Sequence, residues 1–168
     1  MRALALGISG GQARLVADQQ YYEVARQLIA QARNICLASL FIVDLKTSGT
    51  EPDLKVYELL KLLQQAQWRG VRTRLLIGGS RKNVIIAESA EIARYTALRL
   101  GLECKWLTSE DVRGSHCKLV VSDDSVLIGS HNWSAPAFTS QIQDSLLIKS
   151  SGLAAYFAAY FDRQWNRG

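Results

Sequence analysis

The sequence is poor in the residues that staple, segment or anchor a chain. Its three cysteines, Cys36, Cys104 and Cys117, lie far apart, each inside an apolar stretch where cysteine behaves as a small hydrophobe. They form neither a zinc-ligand spacing nor a disulfide framework, which favours a reducing, intracellular compartment and a cytoplasmic location. With two prolines and no low-complexity run, the chain is not a disordered or Pro-rich polymer, and nothing in it reads as a linker or an internal repeat. No apolar run is long enough to span a bilayer. The opening, Met1-Arg2 followed by Ala3 to Ile8, is too brief for the core of a signal peptide and lacks a convincing cleavage site, and the Met1 start itself suggests a natural beginning. Histidine is also scarce: there are two, His116 and His131.

What is present points to a folded enzyme-sized unit. At 168 residues, 48% of them hydrophobic, the chain can bury a core without disulfide or metal and is expected to form a single domain over residues 1–168. Twenty Lys and Arg against fifteen Asp and Glu leave a net charge of +5. That balance favours a polyanionic partner such as nucleic acid or an acidic membrane surface, although an ordinary basic protein has the same balance.

The hydrophobic pattern alternates between strand and helix. Ala3 to Ile8 and Ala13 to Val16 read as short strands around the turn Ser9-Gly10-Gly11. Asp18 is placed to cap a helix on which Tyr21, Val24, Ala25, Leu28, Ile29 and Ala32 recur at helical spacing. Ile35 to Val43 is a nearly continuous apolar run, the pattern of a strand buried on both faces, and Lys46 to Pro52 reads as loop. Helices over Leu54 to Trp68 and Asn83 to Leu100, each followed by glycine, alternate with strands over Val71 to Ile77 and Glu103 to Leu107. Strands His116 to Ser122 and Val126 to Ile128 then form a hairpin. A strand over Ser145 to Lys149 precedes a last helix whose Leu153, Phe157, Tyr160, Phe161 and Trp165 make an apolar stripe, read as core rather than as a ligand platform. The order predicts an α/β sandwich with a mixed central sheet and helices on both faces.

The hairpin carries the chemistry. Residues two apart on a strand share a face, so His116 and Lys118 project together while Cys117 points away. A three-residue loop about Asp124 sets Asn132 opposite His116 and Ser130 opposite Lys118, whereas a slip of one residue pairs His116 with His131. The first register gathers the donors a phosphate needs. Lys118 supplies a point charge, and Asn132 and Ser130 supply neutral donors for the non-bridging oxygens. Neutral imidazole, with a reference pKa of about 6.5, is a competent nucleophile toward phosphorus once an acceptor fixes its tautomer. Asp144, at the start of the next strand, is the candidate acceptor. No cofactor or metal is required by this arrangement.

These residues resemble the signature of the phospholipase D superfamily: His-x-Lys, four residues, Asp, then Gly-Ser-x-Asn. Here the match is His116-Cys117-Lys118, Asp123 and Gly129-Ser130-His131-Asn132. The opening strand, the Tyr21-Tyr22 helix, the Phe41 strand and the Trp165 helix follow the family's order, so the resemblance covers nearly the whole chain. It implies a phospholipase D-like α/β/α sandwich, attack by His116 on phosphorus to give a phosphohistidine, and a phosphate held by Lys118, Ser130 and Asn132. By the same resemblance Asp123 is more structural than catalytic. Two departures stand out. Five residues separate Asp123 from Gly129 where six are usual, which reads as a shortened turn. The Glu often found after the Asn segment is replaced by Gln143 or Asp144, which leaves the orienting role open.

One His-x-Lys is present, yet the leaving oxygen needs a proton while His116 is covalently occupied. Single-motif members of the family usually form homodimers, so two-fold symmetry is expected to bring both copies of His116 to a shared site. His131 is the alternative acid within one chain, and otherwise a histidine beside the pocket that touches substrate. Arg81, Lys82 and Arg113 are placed to guide a polyanion, although charged loop residues are commonly just solvated. Nucleic acid is the favoured substrate. Phospholipid is the alternative and calls for an exposed apolar rim, which the polar Lys46 to Pro52 loop does not provide. A silent nucleic-acid-binding module is a third reading, against which the intact His116, Lys118 and Asn132 stand.

Overall fold

The apolar run after Ile35 becomes strand β2 (Ile35–Leu40), buried at every position from Cys36 onward because both of its faces are covered. It lies near the middle of the sheet in a computed structural model that describes residues 12–45, 51–79, 82–107 and 115–167. The strand and turn expected over 3–11, the loop over 46–50, Arg81 and Arg113 fall outside the described residues. Around β2 the chain runs β1 (Gln12–Ala17), α1 (Gln20–Gln31), β2, α2 (Glu51–Trp68), β3 (Arg72–Ile77), α3 (Val84–Arg99), β4 (Glu103–Trp106), β5 (Lys118–Ser122), β6 (Ser125–Gly129), α4 (Ala135–Thr139), β7 (Asp144–Lys149) and α5 (Ser151–Trp165). The strand order is β1-β7-β6-β5-β2-β3-β4, with β2, β3 and β4 parallel and every other pairing antiparallel.

Period-two alternation divides the core between two faces. Cys36, Ala38, Leu40, Val120 and Leu127 face the layer of α1, α2, α3 and α4, while Leu37, Leu119, Val121 and Val126 face α5. The expected sandwich with a mixed sheet is therefore present, its helices divided four to one among the described residues. In α2, Leu59, Leu60 and Leu63 are completely buried, and each such side chain contributes about 1.5–3 kcal/mol.

The α1–β2 connection is fixed from two sides. The Arg69 guanidinium donates to the carbonyls of Ile29, Ala30 and Ala32, supplying a cation and donors where the helix leaves carbonyls unsatisfied. The Asp123 carboxylate accepts from the backbone N–H groups of Arg33, Asn34 and Ile35 at 2.8–3.1 Å. With its entry pinned, β2 delivers its carboxyl end to a defined place. The register aligns Leu40 with Lys118 and Ile77, and Ala17 with Asp144, so the carboxyl ends of β1, β2 and β3 meet the amino ends of β5 and β7 along one edge.

Four local readings need correction. Asp18 does not cap α1: it has φ +47°, its carboxylate accepts from Gln143 N, and α1 is preceded by Gln19, which makes no side-chain cap bond. The β2 strand stops at Leu40, and Val43 instead bridges to Trp133. Glu51 and Pro52 open α2 rather than ending a loop, since Pro suits the first turn of a helix. The helix α4 was not visible in the pattern because it is a single short turn with one proline.

Candidate active site

The site is assembled where these strand ends meet. His116 and Cys117 precede β5 rather than lying inside it, and β5 starts at Lys118. The hairpin loop holds two residues, Asp123 and Asp124, because Ser122 pairs with Ser125 and Leu119 with Ile128. Asp123 takes φ +49°, a left-handed conformation that Asp tolerates better than most residues. This corrects the expected register by one residue: Asn132 does not face His116 along the ladder, nor Ser130 Lys118. The slipped alternative does not pair the two imidazoles either, because β6 ends at Gly129 and leaves β5.

His116 and Lys118 nevertheless come together. The Lys118 Nζ lies 3.1 Å from His116 Nδ1 and 3.4 Å from Nε2, and donates to the His116 carbonyl at 3.0 Å. The Phe41 ring backs both groups, with its centroid 4.2 Å from that of the imidazole and 4.8 Å from the ammonium. Burial and then the Lys118 charge hold the His116 imidazole below its ordinary pKa, which favours the neutral, nucleophilic form. Burial also lowers the Lys118 ammonium from its usual range.

Asn132 arrives by a different route. The segment after β2 zips onto the segment after β6: Trp133 N donates to Ile42 O, Asp44 N donates to Trp133 O, and Ile42 N donates to Asn132 Oδ1 at 3.2 Å. With Oδ1 committed, the amide orientation is set and its Nδ2 hydrogens are the ones available to a ligand. Ser130 is held differently from expectation. Its hydroxyl donates to Asp144 O and accepts from Asp144 N, so it ties β6 to β7 instead of standing free as a phosphate donor. Asp144 contributes its backbone to that tie, its side chain is exposed, and among the described residues the His116 ring bonds only with Lys118. The expected Asp144–His116 bond is therefore not formed. Gln143 donates from Nε2 to Ser130 O.

His131 is a core residue rather than a group at the pocket. It is completely buried and stacks on Tyr21 with centroids 4.4 Å apart. The Asp18 carbonyl can only accept, so His131 Nε2 donates to it at 3.0 Å, while Nδ1 lies 2.8 Å from Ser145 Oγ. Burial holds this imidazole below its ordinary pKa, outweighing the Asp18 carbonyl. Asp123 sits at the opposite end of β5 from His116 and serves the α1–β2 connection. Although burial pushes upward, the three backbone donors hold its carboxyl below the usual range. Lys82 is exposed beside the Asn83 cap of α3. Among the described residues, no group of three or more His, Cys, Asp or Glu side chains could hold a metal ion.

Two glycines make the close approach possible. A Cβ on Gly78 would fall 2.1 Å from the Ser115 carbonyl and 3.2 Å from Phe41 Cα, and one on Gly129 would fall 2.4 Å from Asp144 O and from Ser145 Cα. Sequence reasoning missed Phe41 as a site residue. The available signal was an aromatic at the carboxyl end of a buried strand, the edge where open α/β sheets bind ligands.

Residues 25–165 match the family described as "Cardiolipin synthase, PLD-like domain". The chain belongs to the phospholipase D superfamily. No curated protein sequence matches it. Among solved structures, the phospholipase D family member Nuc from Salmonella typhimurium is 17% identical, with TM-score 0.74 over 94% of this chain and 96% of that one. Phosphatidylserine synthase from Haemophilus influenzae Rd KW20 is 15% identical, with TM-score 0.69 over 95% of this chain and 37% of that one. The archaeal chromatin protein TrmBL2, whose structure shows a mode of DNA binding, is 18% identical, with TM-score 0.53 over 96% and 54%. At these identities the likeness establishes the phospholipase D fold. No helix among the described residues is long and apolar enough to cross a membrane.

Proposed function

We propose that this phospholipase D-superfamily protein is a metal-independent phosphodiesterase that cleaves nucleic acid through a covalent phosphohistidine on His116, in a site shared by two copies of the chain. The observation that carries the reading is the contact of His116 with Lys118 at 3.1 Å, beside the segment that fixes Asn132. A neutral imidazole nitrogen attacks phosphorus and the bond to the leaving oxygen breaks. Lys118 and the Asn132 amide hold the non-bridging oxygens, where charge must be accommodated. The leaving oxygen takes a proton from a second acid; water then attacks the phosphohistidine, the P–N bond breaks, and the proton from water returns to that second group.

The partner's His116 is the second acid. His131 is unsuited to the role, since it is buried and its Nε2 proton is bonded to Asp18 O. Net charge of +5 supports nucleic acid as the substrate, as does a fold that a DNA-binding chromatin protein also carries. A second reading, hydrolysis of phospholipid head groups, is favoured by one specific feature. Val84 and Ile85 at the start of α3, 67% exposed each, and Ile142 before β7, 95% exposed, flank the same edge from its two sides. This is the kind of apolar rim an interfacial enzyme uses.

The test is cleavage of single- and double-stranded DNA, RNA and phosphatidylcholine vesicles in excess EDTA, with His116→Ala as control. Nucleic-acid cleavage lost in the variant supports the proposal. Turnover of lipid alone transfers the chemistry to the second reading, and nucleic-acid binding without any turnover leaves a silent binding module.

A further inference from the structure

Phe41 is half-buried and belongs to neither of the two buried apolar clusters that hold the sheet to its helices. Its ring contacts go elsewhere: to the His116 imidazole, with centroids 4.2 Å apart and planes at 44°, and to Lys118 Nζ, 4.8 Å from the ring centroid. Among the described residues, the ring of this large aromatic is set against two polar groups and not in the core clusters.

We propose that Phe41 is a positioning residue whose ring face holds the Lys118 ammonium and the His116 imidazole side by side, presenting both to one phosphate. The proposal rests on the phosphodiesterase reading of this pair. Lys118 is a flexible four-carbon stem with a compact charge. On a partly exposed strand end nothing among the described residues pairs that charge with a carboxylate, and the ammonium instead meets His116 and the Phe41 ring. The ring's negative face restrains the ammonium at a defined height. The same ring blocks one side of the imidazole, which narrows its rotamers.

The backbone places the ring for this role. Phe41 follows the last residue of β2, and its neighbour Ile42 donates to Asn132 Oδ1 while accepting from Trp133 N. Residues 41 and 42 thus touch both halves of the motif, one through a side chain and one through the peptide. Gly78 has no Cβ, and one added there would lie 3.2 Å from Phe41 Cα; its absence lets this segment approach Ser115 and so His116.

Phe41→Leu keeps apolar volume without the π face, whereas Phe41→Tyr keeps the face. Both are expected to fold, since the site lies outside the core clusters. In Phe41→Leu, kcat on a nucleic-acid substrate should fall by about three- to thirtyfold, the range of a single cation–π contact, with a smaller change in KM; Phe41→Tyr should stay within about twofold of wild type. A second readout needs no turnover. The His116 imidazole is titrated by NMR, its signal assigned with His116→Ala. Lys118 is the charged group facing that ring among the described residues, and Phe41 is its apolar cover. Without the π face the ammonium is no longer held against the imidazole, so the titration midpoint should rise in Phe41→Leu and not in Phe41→Tyr.

An unmoved midpoint in Phe41→Leu, or equal losses in the Leu and Tyr variants, overturns the proposal. If the wild type cleaves no phosphodiester but the midpoint moves as described, the catalytic reading fails while the placement of the pair by Phe41 stands.

Discussion

At the scale of residues, two histidines in one short segment have opposite fates, and each makes a separate prediction. His116 is exposed, and partial desolvation of its ring and then the Lys118 charge hold it below its ordinary pKa. As the proposed nucleophile it must be neutral while the partner's His116 carries the proton, so the rate profile should be bell-shaped, its acid limb lying below pH about 6.5, the reference value for histidine. His116→Ala should reduce turnover at least about a thousandfold, as expected for loss of a covalent nucleophile. His131 is buried and also held low. The folded state therefore binds protons on His131 less readily than the unfolded chain. Stability is complete above the unfolded value of about 6.5 and is lost as pH falls below it. In a His116→Ala background, where His131 is the remaining imidazole, the thermal midpoint should decline between pH 7 and pH 5. Adding His131→Gln should lower the midpoint at pH 7 and flatten that decline; an unchanged slope would contradict the account.

At the scale of elements, the hairpin positions the site while its turn serves the rest of the fold. Asp123→Ala removes the carboxylate that accepts from three backbone N–H groups and places alanine at φ +49°. A loss of about 2–3 kcal/mol is expected, with Asp123→Asn milder because it retains an acceptor and tolerates the left-handed region. Denaturant unfolding checks the energies, and cleavage per folded molecule should stay close to wild type in the Asn variant. Gly78→Ala is the opposite case: the new Cβ meets the Ser115 carbonyl, so His116 must shift. Over-packing of this kind costs about 1–3 kcal/mol, and turnover should fall by more than the folded fraction does.

The same hairpin shows what the sequence pattern can and cannot convey. Strand and helix order, the buried β2 run and the pairing of His116 with Lys118 follow from local periodicity and motif, so they were legible. Register was not. Asp123, Asp124 and Ser125 all suit a turn, and the buried pair Ser122 and Ser125 gives no apolar signal to separate a two-residue from a three-residue loop. His131 could have been placed, because Leu127, Gly129 and His131 continue one period-two face that begins in the core. Asn132 could not, since its position depends on Ile42, ninety residues away in sequence.

At the scale of the whole molecule, one chain supplies one accessible histidine, whereas the proposed reaction needs two proton-transferring groups. Under the proposed mechanism, dimerisation would then be part of the chemistry. Light scattering should give twice the 18.6 kDa chain mass. If both copies serve one site, mixing equal amounts of wild type and His116→Ala under exchange should leave about one quarter of the activity, the fraction of all-wild-type dimers, rather than about one half. A residual of one half would assign each site to a single chain. The exposed Val84, Ile85 and Ile142 belong to this scale too: if lipid is the substrate, replacing these residues with Ser should weaken vesicle binding and leave cleavage of a soluble phosphodiester unchanged.

The most direct test of the covalent mechanism is to quench the wild-type protein during turnover of a phosphorus-labelled nucleic acid in excess EDTA and locate the label by mass spectrometry. The account predicts an acid-labile phosphoramidate on His116 that is absent from His116→Ala. Turnover with no labelled protein, or a label that persists in the variant, would contradict it.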